Sequence, residues 1–263
     1  MQSATTITFG DRAENHFGMQ ILGDLADYGF TIQELKDAKN NFEEIGCKCE
    51  LIDLTQTLNK TNKNNAEDAS LLIVRNAVDK ILLKKNKTHK DMFMEHNRLK
   101  TDKKYFDMRR QTVLNKRARY NLCFGDKKQK ANFNEGKGTI IPWSDVPITK
   151  YIRKKLKKLI GKKAKKLQGE GNYYYDPDKC GIGFHGDTER RLVVGIRLGH
   201  EIPFHFQWFR YYKPIGKRMK FELKSGDLYI MSDKATGYDW KTKNKLTLRH
   251  AAGCDKYTTI KKK

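Results

Sequence analysis

The feature that most limits the fold is a change of texture near residue 116. From "RARYNLCFGD" onward the chain runs as short aromatic or β-branched segments: "KGTIIPW", "NYYYD", "LVVGIRLG", "PFHFQWF", "MKFELK", "DLYIMS", "KLTLRHAA" and "KYTTIKK". Gly, Pro, Asn and Asp punctuate them, which is the pattern of an antiparallel sandwich or barrel. In "PFHFQWF" strand alternation puts Phe204, Phe206 and Trp208 on one face and His205, Gln207 and Phe209 on the other. One helix interrupts the strands. "TKYIRKKLKKLIGKKAKKL" gathers Ile152, Leu156, Leu159 and Ile160 into a single stripe, and ten basic residues with no acid lie between Lys150 and Lys166. The stripe is expected to pack on the sheet, leaving Lys157, Lys158, Lys162 and Lys163 as candidate phosphate contacts.

The first 115 residues read differently. Thr31 followed by Glu34 in "GFTIQELKDAKNNFEEIG" is a capping box, opening a helix expected to end near Gly46. "CKCELIDL" reads as a strand and "TQTLNKTNKNNAEDAS" as a loop. "LLIVRNAVDKILLKK" has apolar residues at helical spacing, so helix is expected there and through most of the charged stretch to about residue 113. The expected organisation is α+β: an α-rich region over 1–115 packed on a β-rich domain over 116–263.

Charge narrows the partners. Lys+Arg 54 against Asp+Glu 31 gives a formal +23, an excess that draws polyanions; nucleic acid is the expected partner. No apolar run approaches the ~18 residues of a membrane span. The start "MQSATTITFG" lacks a signal-peptide pattern, so a soluble intracellular protein is expected, with no membrane partner. The five cysteines are scattered and odd in number, which fits reduced thiols better than a disulfide framework or a zinc knuckle.

The chemistry concentrates in "GNYYYDPDKCGIGFHGDTERR". A His-x-Asp pair on one strand projects both side chains to one face, where they can ligate one ion. With a distant histidine they complete the facial triad of non-haem Fe(II), which keeps positions open for co-substrate and O2. This segment resembles the AlkB-type branch of the 2-oxoglutarate- and Fe(II)-dependent dioxygenases, and the resemblance covers roughly residues 117–261. It implies a double-stranded β-helix (jelly-roll) oxygenase core. By its pattern Asn172 and Tyr174 would contact 2-oxoglutarate, His185 and Asp187 would ligate iron, and Glu189 and Arg190 would face substrate. "LKSGDLYIMSDKATG" looks like the family's Gly-Asp strand and the turn beyond it. "AENHFGMQ" and "RARYNLCFGD" are similar to segments of algal and large-virus members.

The distal ligand departs from the AlkB pattern. Strict alignment places it near Lys241, whose ammonium has no lone pair to give. His250 in "KLTLRHAAG" lies 23 residues beyond Asp227, a spacing similar to the prolyl-hydroxylase branch. His250 is therefore the expected third ligand, with Arg249 the alternative reading of that strand as a co-substrate clamp. For the distal carboxylate of 2-oxoglutarate the candidates are Lys261, eleven residues after His250, Lys256, six after it, and Arg249. His205 is expected to line the pocket or pack, and Tyr175, Phe206 and Trp208 are candidate stacking surfaces for substrate. Asn15 and His16 carry no motif-level chemistry.

The resemblance implies Fe(II), 2-oxoglutarate and O2 as cofactor and co-substrates, with hydroxylation or oxidative demethylation of a nucleic-acid base as the reaction. A protein side-chain hydroxylase is the alternative that the prolyl-hydroxylase-like ending suggests. A non-catalytic basic nucleic-acid-binding module on the same scaffold is the other.

Overall fold

The computed structural model describes residues 3–260. Strands β1 (Ala4–Gly10), β2 (Ala13–Glu14) and β3 (Ile21–Leu22) precede helix α1 (Ile32–Glu44). Next come β4 (Lys48–Asp53), the short α2 (Lys60–Asn64), β5 (Ser70–Arg75), α3 (Ala77–Leu82) and α4 (His89–Asn97). The hairpin β6 (Lys104–Asp107) and β7 (Thr112–Asn115) leads to β8 (Tyr120–Gly125), β9 (Ile140–Pro142) and α5 (Pro147–Ile160). The last third holds β10 (Gln168–Tyr174), β11 (Gly181–His185), β12 (Val193–Gly199) and β13 (Phe204–Arg210). It closes with β14 (Lys213–Phe221), β15 (Leu228–Met231), β16 (Thr247–Gly253) and the one-turn α6 (Asp255–Thr258). The fold is α+β and dominated by antiparallel sheets.

A major sheet has the order β4-β5-β15-β12-β1-β10-β8-β9, and a minor sheet the order β11-β16-β13-β14. The pleat gives the major sheet two different faces. Ile7, Phe9, Tyr173, Val194, Ile196, Leu228 and Ile230 point to one side, into a core shared with Leu35 and Phe42 of α1, Met92 of α4 and the stripe of α5. Ala4, Tyr174, Val193, Tyr229 and Met231 point to the other, into a second core with Phe204, Phe206, Trp208 and Leu248 of the minor sheet. The helices thus cover the outer face, and the minor sheet covers the inner one.

Local chemistry explains most elements. The Thr31 hydroxyl accepts from the Glu34 N–H at 3.1 Å while the Glu34 carboxylate accepts from the Thr31 N–H at 2.8 Å, completing the expected capping box of α1. Pro147 opens α5, Gly161 stops it at φ +120°, and Ile152, Leu156, Leu159 and Ile160 are buried as the stripe predicts. Each of those side chains contributes about 1.5–3 kcal/mol by burial. The favourable placement of Lys157 and Lys158 at the helix C-terminus adds only about 0.3–1 kcal/mol. The stripe, then, fixes the helix and leaves most of its lysines in water. At the outer edge of the minor sheet β14 carries exposed Lys213, Lys217, Arg218 and Lys220, charges that deter edge-to-edge pairing.

Four segments differ from the sequence expectation. "SLLIVR" is strand β5, hydrogen-bonded between β4 and β15, and the helix starts only at Ala77. Its first five residues are buried, and a continuous apolar run fits a strand covered on both faces as well as it fits a helix. The stretch from 98 to 113 holds the β6–β7 hairpin rather than helix. "TQTLNKTNK" contains a 3-10 turn and α2, capped by the Asn59 side chain. The start of "KYTTIKK" belongs to α6, not to a strand. All five cysteines are free.

The boundary expected at residue 115 does not separate two sheets. β1 lies at the centre of the major sheet, paired antiparallel with β10 on one side and β12 on the other, and β5 extends the same sheet beyond β15. Removing the first 115 residues would strip β10 and β12 of their shared neighbour and uncover the apolar outer face. A fragment of residues 116–263 is therefore expected to be insoluble or to melt without cooperativity in calorimetry. A sharp cooperative transition would establish that region as an independent domain.

Candidate metal centre

The antiparallel pairing of β11 with β16 sets His185 directly opposite His250, and their ring centroids lie 4.4 Å apart. A bulge between Ile182 and His185 shifts the register that produces this pairing. Asp187 follows in the turn beyond β11, its backbone N–H donating to the Thr236 carbonyl at 2.9 Å. The intervening Gly186 allows the turn to press against residues 236–237: a Cβ on it would stand 2.0 Å from the Gly237 carbonyl oxygen. One donor atom from each of His185, Asp187 and His250 falls within a mutual 4.8 Å. Asp187 Oδ1 lies 3.6 Å from His185 Nε2 and 3.8 Å from His250 Nε2.

Their protonation suits a divalent cation. His185 Nδ1 lies 2.8 Å from the Gly183 carbonyl, which assigns the ring proton to Nδ1 and leaves the Nε2 lone pair facing the cluster. Burial, then the neighbouring His185 and Arg190, hold His250 well below the usual histidine range, so its imidazole is neutral at pH 7. Burial also raises the Asp187 carboxyl, against the opposing pull of Arg190 and His185. Two imidazoles and one carboxylate at these distances are a donor set that could hold a divalent metal ion, and a set of this composition fits Fe(II) with coordination positions left open.

The cluster opens on a cavity of about 560 Å³ between the two sheets. Its major-sheet wall includes Thr6, Asn172, Tyr174, Arg197 and Tyr229. Arg197, opposite Thr6 in the β1–β12 register, is 1% exposed, and its Nε and Nη1 have no hydrogen-bond partner. A guanidinium stays charged even where burial opposes it, as here. Buried donors left unpaired cost free energy, and an anion in the cavity would lower that cost by offsetting the guanidinium charge. Tyr174 supports it through its ring, 5.8 Å from the guanidinium carbon.

Another wall is a connected polar array. The Asn172 carbonyl oxygen accepts from Arg119 at 2.6 Å and Asn121 at 2.8 Å, and its amide nitrogen donates to Glu170 at 2.9 Å. Glu170 pairs with Arg190 at 2.5 Å, and Arg190 reaches Glu189 at 3.1 Å. Glu14, lining the same cavity, is pushed up to about 7, first by burial and then by Glu189. At neutral pH it is therefore a mixture of acid and carboxylate, able to donate or accept.

The structure thus brings together on one cavity His185, Asp187, His250, Asn172, Tyr174, Glu189 and Arg190. Lys241 also lines it, but as an exposed ammonium over the Phe17 and Trp240 rings rather than near the ligands. Arg249 points to the opposite face of β16 from His250, stacked on Phe209 with 4.2 Å between guanidinium carbon and ring centroid. Lys256 is exposed on α6, and Lys261 lies outside the described residues. Tyr175 donates to the Arg117 carbonyl and stacks on Tyr120, away from the metal cluster. Phe206 and Trp208 are buried between the sheets, with Trp208 Nε1 donating to the Leu54 carbonyl at 2.7 Å; His205 faces the other side, against Phe184. Lys157, Lys158, Lys162 and Lys163 belong to the helical layer on the outer face, and Lys163 is tied to Glu34. Sequence reasoning missed Arg197, Glu14 and Arg119. Arg197 had a signal: it is the sole charge in "LVVGIRLG", on the same strand face as Val193 and Gly195.

No family model matches the chain. An uncharacterized protein of Acanthamoeba polyphaga mimivirus is 44% identical to it over 258 residues, covering 98% of this chain and 98% of that protein.

Two outcomes are expected from the geometry. His250→Ala removes one of three donors and should abolish stoichiometric binding of Fe(II) or Mn(II) in anaerobic titrations, whereas Lys241→Ala should leave it intact. Because Asp187 must be ionised to ligate and burial raises its carboxyl above the usual carboxylate range, metal binding should weaken as pH falls and should release a proton wherever that carboxyl is protonated in the free protein. Calorimetry in buffers of different ionisation enthalpy measures that proton; an affinity independent of pH would contradict the assignment.

Proposed function

The chain belongs to the family of that mimivirus protein, and we propose that it is an Fe(II)- and 2-oxoglutarate-dependent oxygenase acting on a nucleic-acid base. The observation that carries this reading is the pairing of the His185–Asp187–His250 cluster with the unpartnered guanidinium of Arg197 across one cavity. A dicarboxylate co-substrate needs both: a metal for its keto-acid end and a buried cation for its far end. Two antiparallel sheets facing each other about the cavity also suit a double-stranded β-helix core.

When bound, Fe(II) would supply the oxidising chemistry by which O2 and 2-oxoglutarate become succinate and CO2 while a substrate C–H becomes C–OH. The chain's own residues do the rest. His185 and His250 present Nε2 lone pairs, the first held in orientation by the Gly183 carbonyl. Arg197 offers a buried guanidinium whose Nε and Nη1 make no protein hydrogen bond and can pair with a carboxylate. Glu14 and Glu189, on the same cavity as the ligands, can hydrogen-bond the ring nitrogens or amino groups of a base, while Arg190 neutralises the surrounding carboxylates. A base within a duplex cannot reach such a cavity without leaving the stack, so a single strand or a flipped nucleotide is the expected form. The formal +23 supports a polyanionic substrate.

The test is succinate formation by anaerobically purified protein given Fe(II), ascorbate, 2-oxoglutarate and then O2, with and without methylated oligonucleotides. Arg197→Met should retain iron but raise the half-saturating 2-oxoglutarate concentration by at least about tenfold, the loss of one charge-assisted contact. No succinate above a metal-free control, with or without oligonucleotide, would remove the oxygenase reading.

A further inference from the structure

A second cavity, of about 480 Å³, adjoins the first and shares His16, Arg119 and Asn121 with it. Arg110, Lys116, Arg117 and Arg119 line it, and among the described residues no Asp or Glu does. Its cations are not equivalent. Lys116 is buried, and its Nζ is already committed to the Asn15 backbone carbonyl and to the side-chain oxygens of Asn15 and Asn121 at 2.7–3.1 Å. Arg119 spends Nε on Asn172. Arg110 and Arg117 are exposed and make no ion pair among the described residues, so their guanidinium groups are free for an outside anion. The β6–β7 hairpin, which lines the cavity through Tyr105, Arg110 and Leu114, also carries exposed Lys104 and Arg109. Its acidic residue Asp107 is occupied by the N–H groups of Arg109 and Arg110.

Flat rings alternate with these cations. His16 and Tyr105 stack with centroids 3.7 Å apart and an interplanar angle of 21°, and Tyr257 contributes another ring to the lining. His16 is held down to about 4, by burial and then by Lys116, so it offers a neutral aromatic face rather than another positive charge. Guanidinium forks beside aromatic faces match the repeating unit of a nucleic-acid strand, a phosphodiester beside a planar base. An acidic peptide supplies the charge but not the ring.

We infer that this second cavity, with the β6–β7 hairpin that lines it, is a phosphodiester-binding groove that holds a single strand next to the metal cavity, Arg110 and Arg117 being its anion contacts. The inference rests on the oxygenase reading only for what happens to the strand afterwards. It also moves the nucleic-acid contact from the lysines of α5, on the outer face of the major sheet, to the side of the molecule where the cavity opens.

Binding is measured by fluorescence anisotropy without iron or 2-oxoglutarate, using labelled single-stranded DNA and RNA oligonucleotides and a polyglutamate peptide of equal charge. Wild type is compared with Arg110→Gln/Arg117→Gln and with Lys157→Glu/Lys158→Glu. Both pairs are exposed, and an unchanged melting temperature establishes that each variant is folded. The groove variant should bind the oligonucleotides about tenfold more weakly, with a log–log salt slope shallower by about 0.7 for each phosphate that is no longer neutralised. The α5 variant should change affinity less. Wild-type affinity in the groove variant, equal binding of polyglutamate, or a larger loss in the α5 variant would each overturn the inference. Strand binding that depends on Arg110 and Arg117 in a protein that forms no succinate would leave the groove standing and remove the oxygenase reading.

Discussion

The pleat of the major sheet is the constraint on which the rest of the structure depends. Because successive side chains take opposite faces, one set of strands serves two environments at once. Val194, Ile196 and Leu198 of β12 support the helical layer, while Val193, Gly195 and Arg197 of the same strand face the minor sheet. A one-residue slip of β12 would turn Arg197 into the helical core and send Ile196 into the cavity. β1 and β15 hold the strand in register from both sides. Gly195 contributes by absence, since a Cβ there would strike the Tyr229 ring at 2.0 Å.

Much of this was legible in the sequence, for physical reasons that differ by region. The capping box of α1 and the apolar stripe of α5 are local signals, and the structure reproduces both. "PFHFQWF" alternated visibly, and its two faces are as the pattern has them. "SLLIVR" misled because a strand buried on both faces has no alternation to show. The candidate ligands were reached through a family resemblance in motif and spacing, and the juxtaposition of His185 and His250 depends on a bulged register that no local pattern encodes. Arg197 and Glu14 were obscure because their significance is purely environmental: a charge in an apolar strand becomes informative only when its neighbours leave it unpaired.

Behind the cavity runs a buried polar chain that sequence reading had no means to assemble. Asp102 accepts from Asn15, Asn15 and Asn121 accept from Lys116, Asn121 donates to Asn172, and Asn172 joins Arg119 to Glu170 and through it to Arg190. Burial brings Lys116 down to about 7, so its charge near neutrality is held by these partners rather than by water. Such arrays are costly when incomplete and rigid when complete. This one ties the turn carrying Asn15 and His16 to strands β8 and β10, and so fixes the partition between the two cavities.

The central place of β1 has a consequence for how the molecule is made. Residues 4–10 pair with 168–174 and 194–199, so this strand waits for partners more than 150 positions away. Until they are made, a β-branched strand with both edges open lacks the two neighbours it has in the sheet. Contacts of such sequence separation form slowly, and the waiting edge is a template for aggregation. Assembly of the sheet therefore waits until the later strands have been made, and yield in any host is sensitive to translation speed and to chaperones that shield the nascent β1 strand.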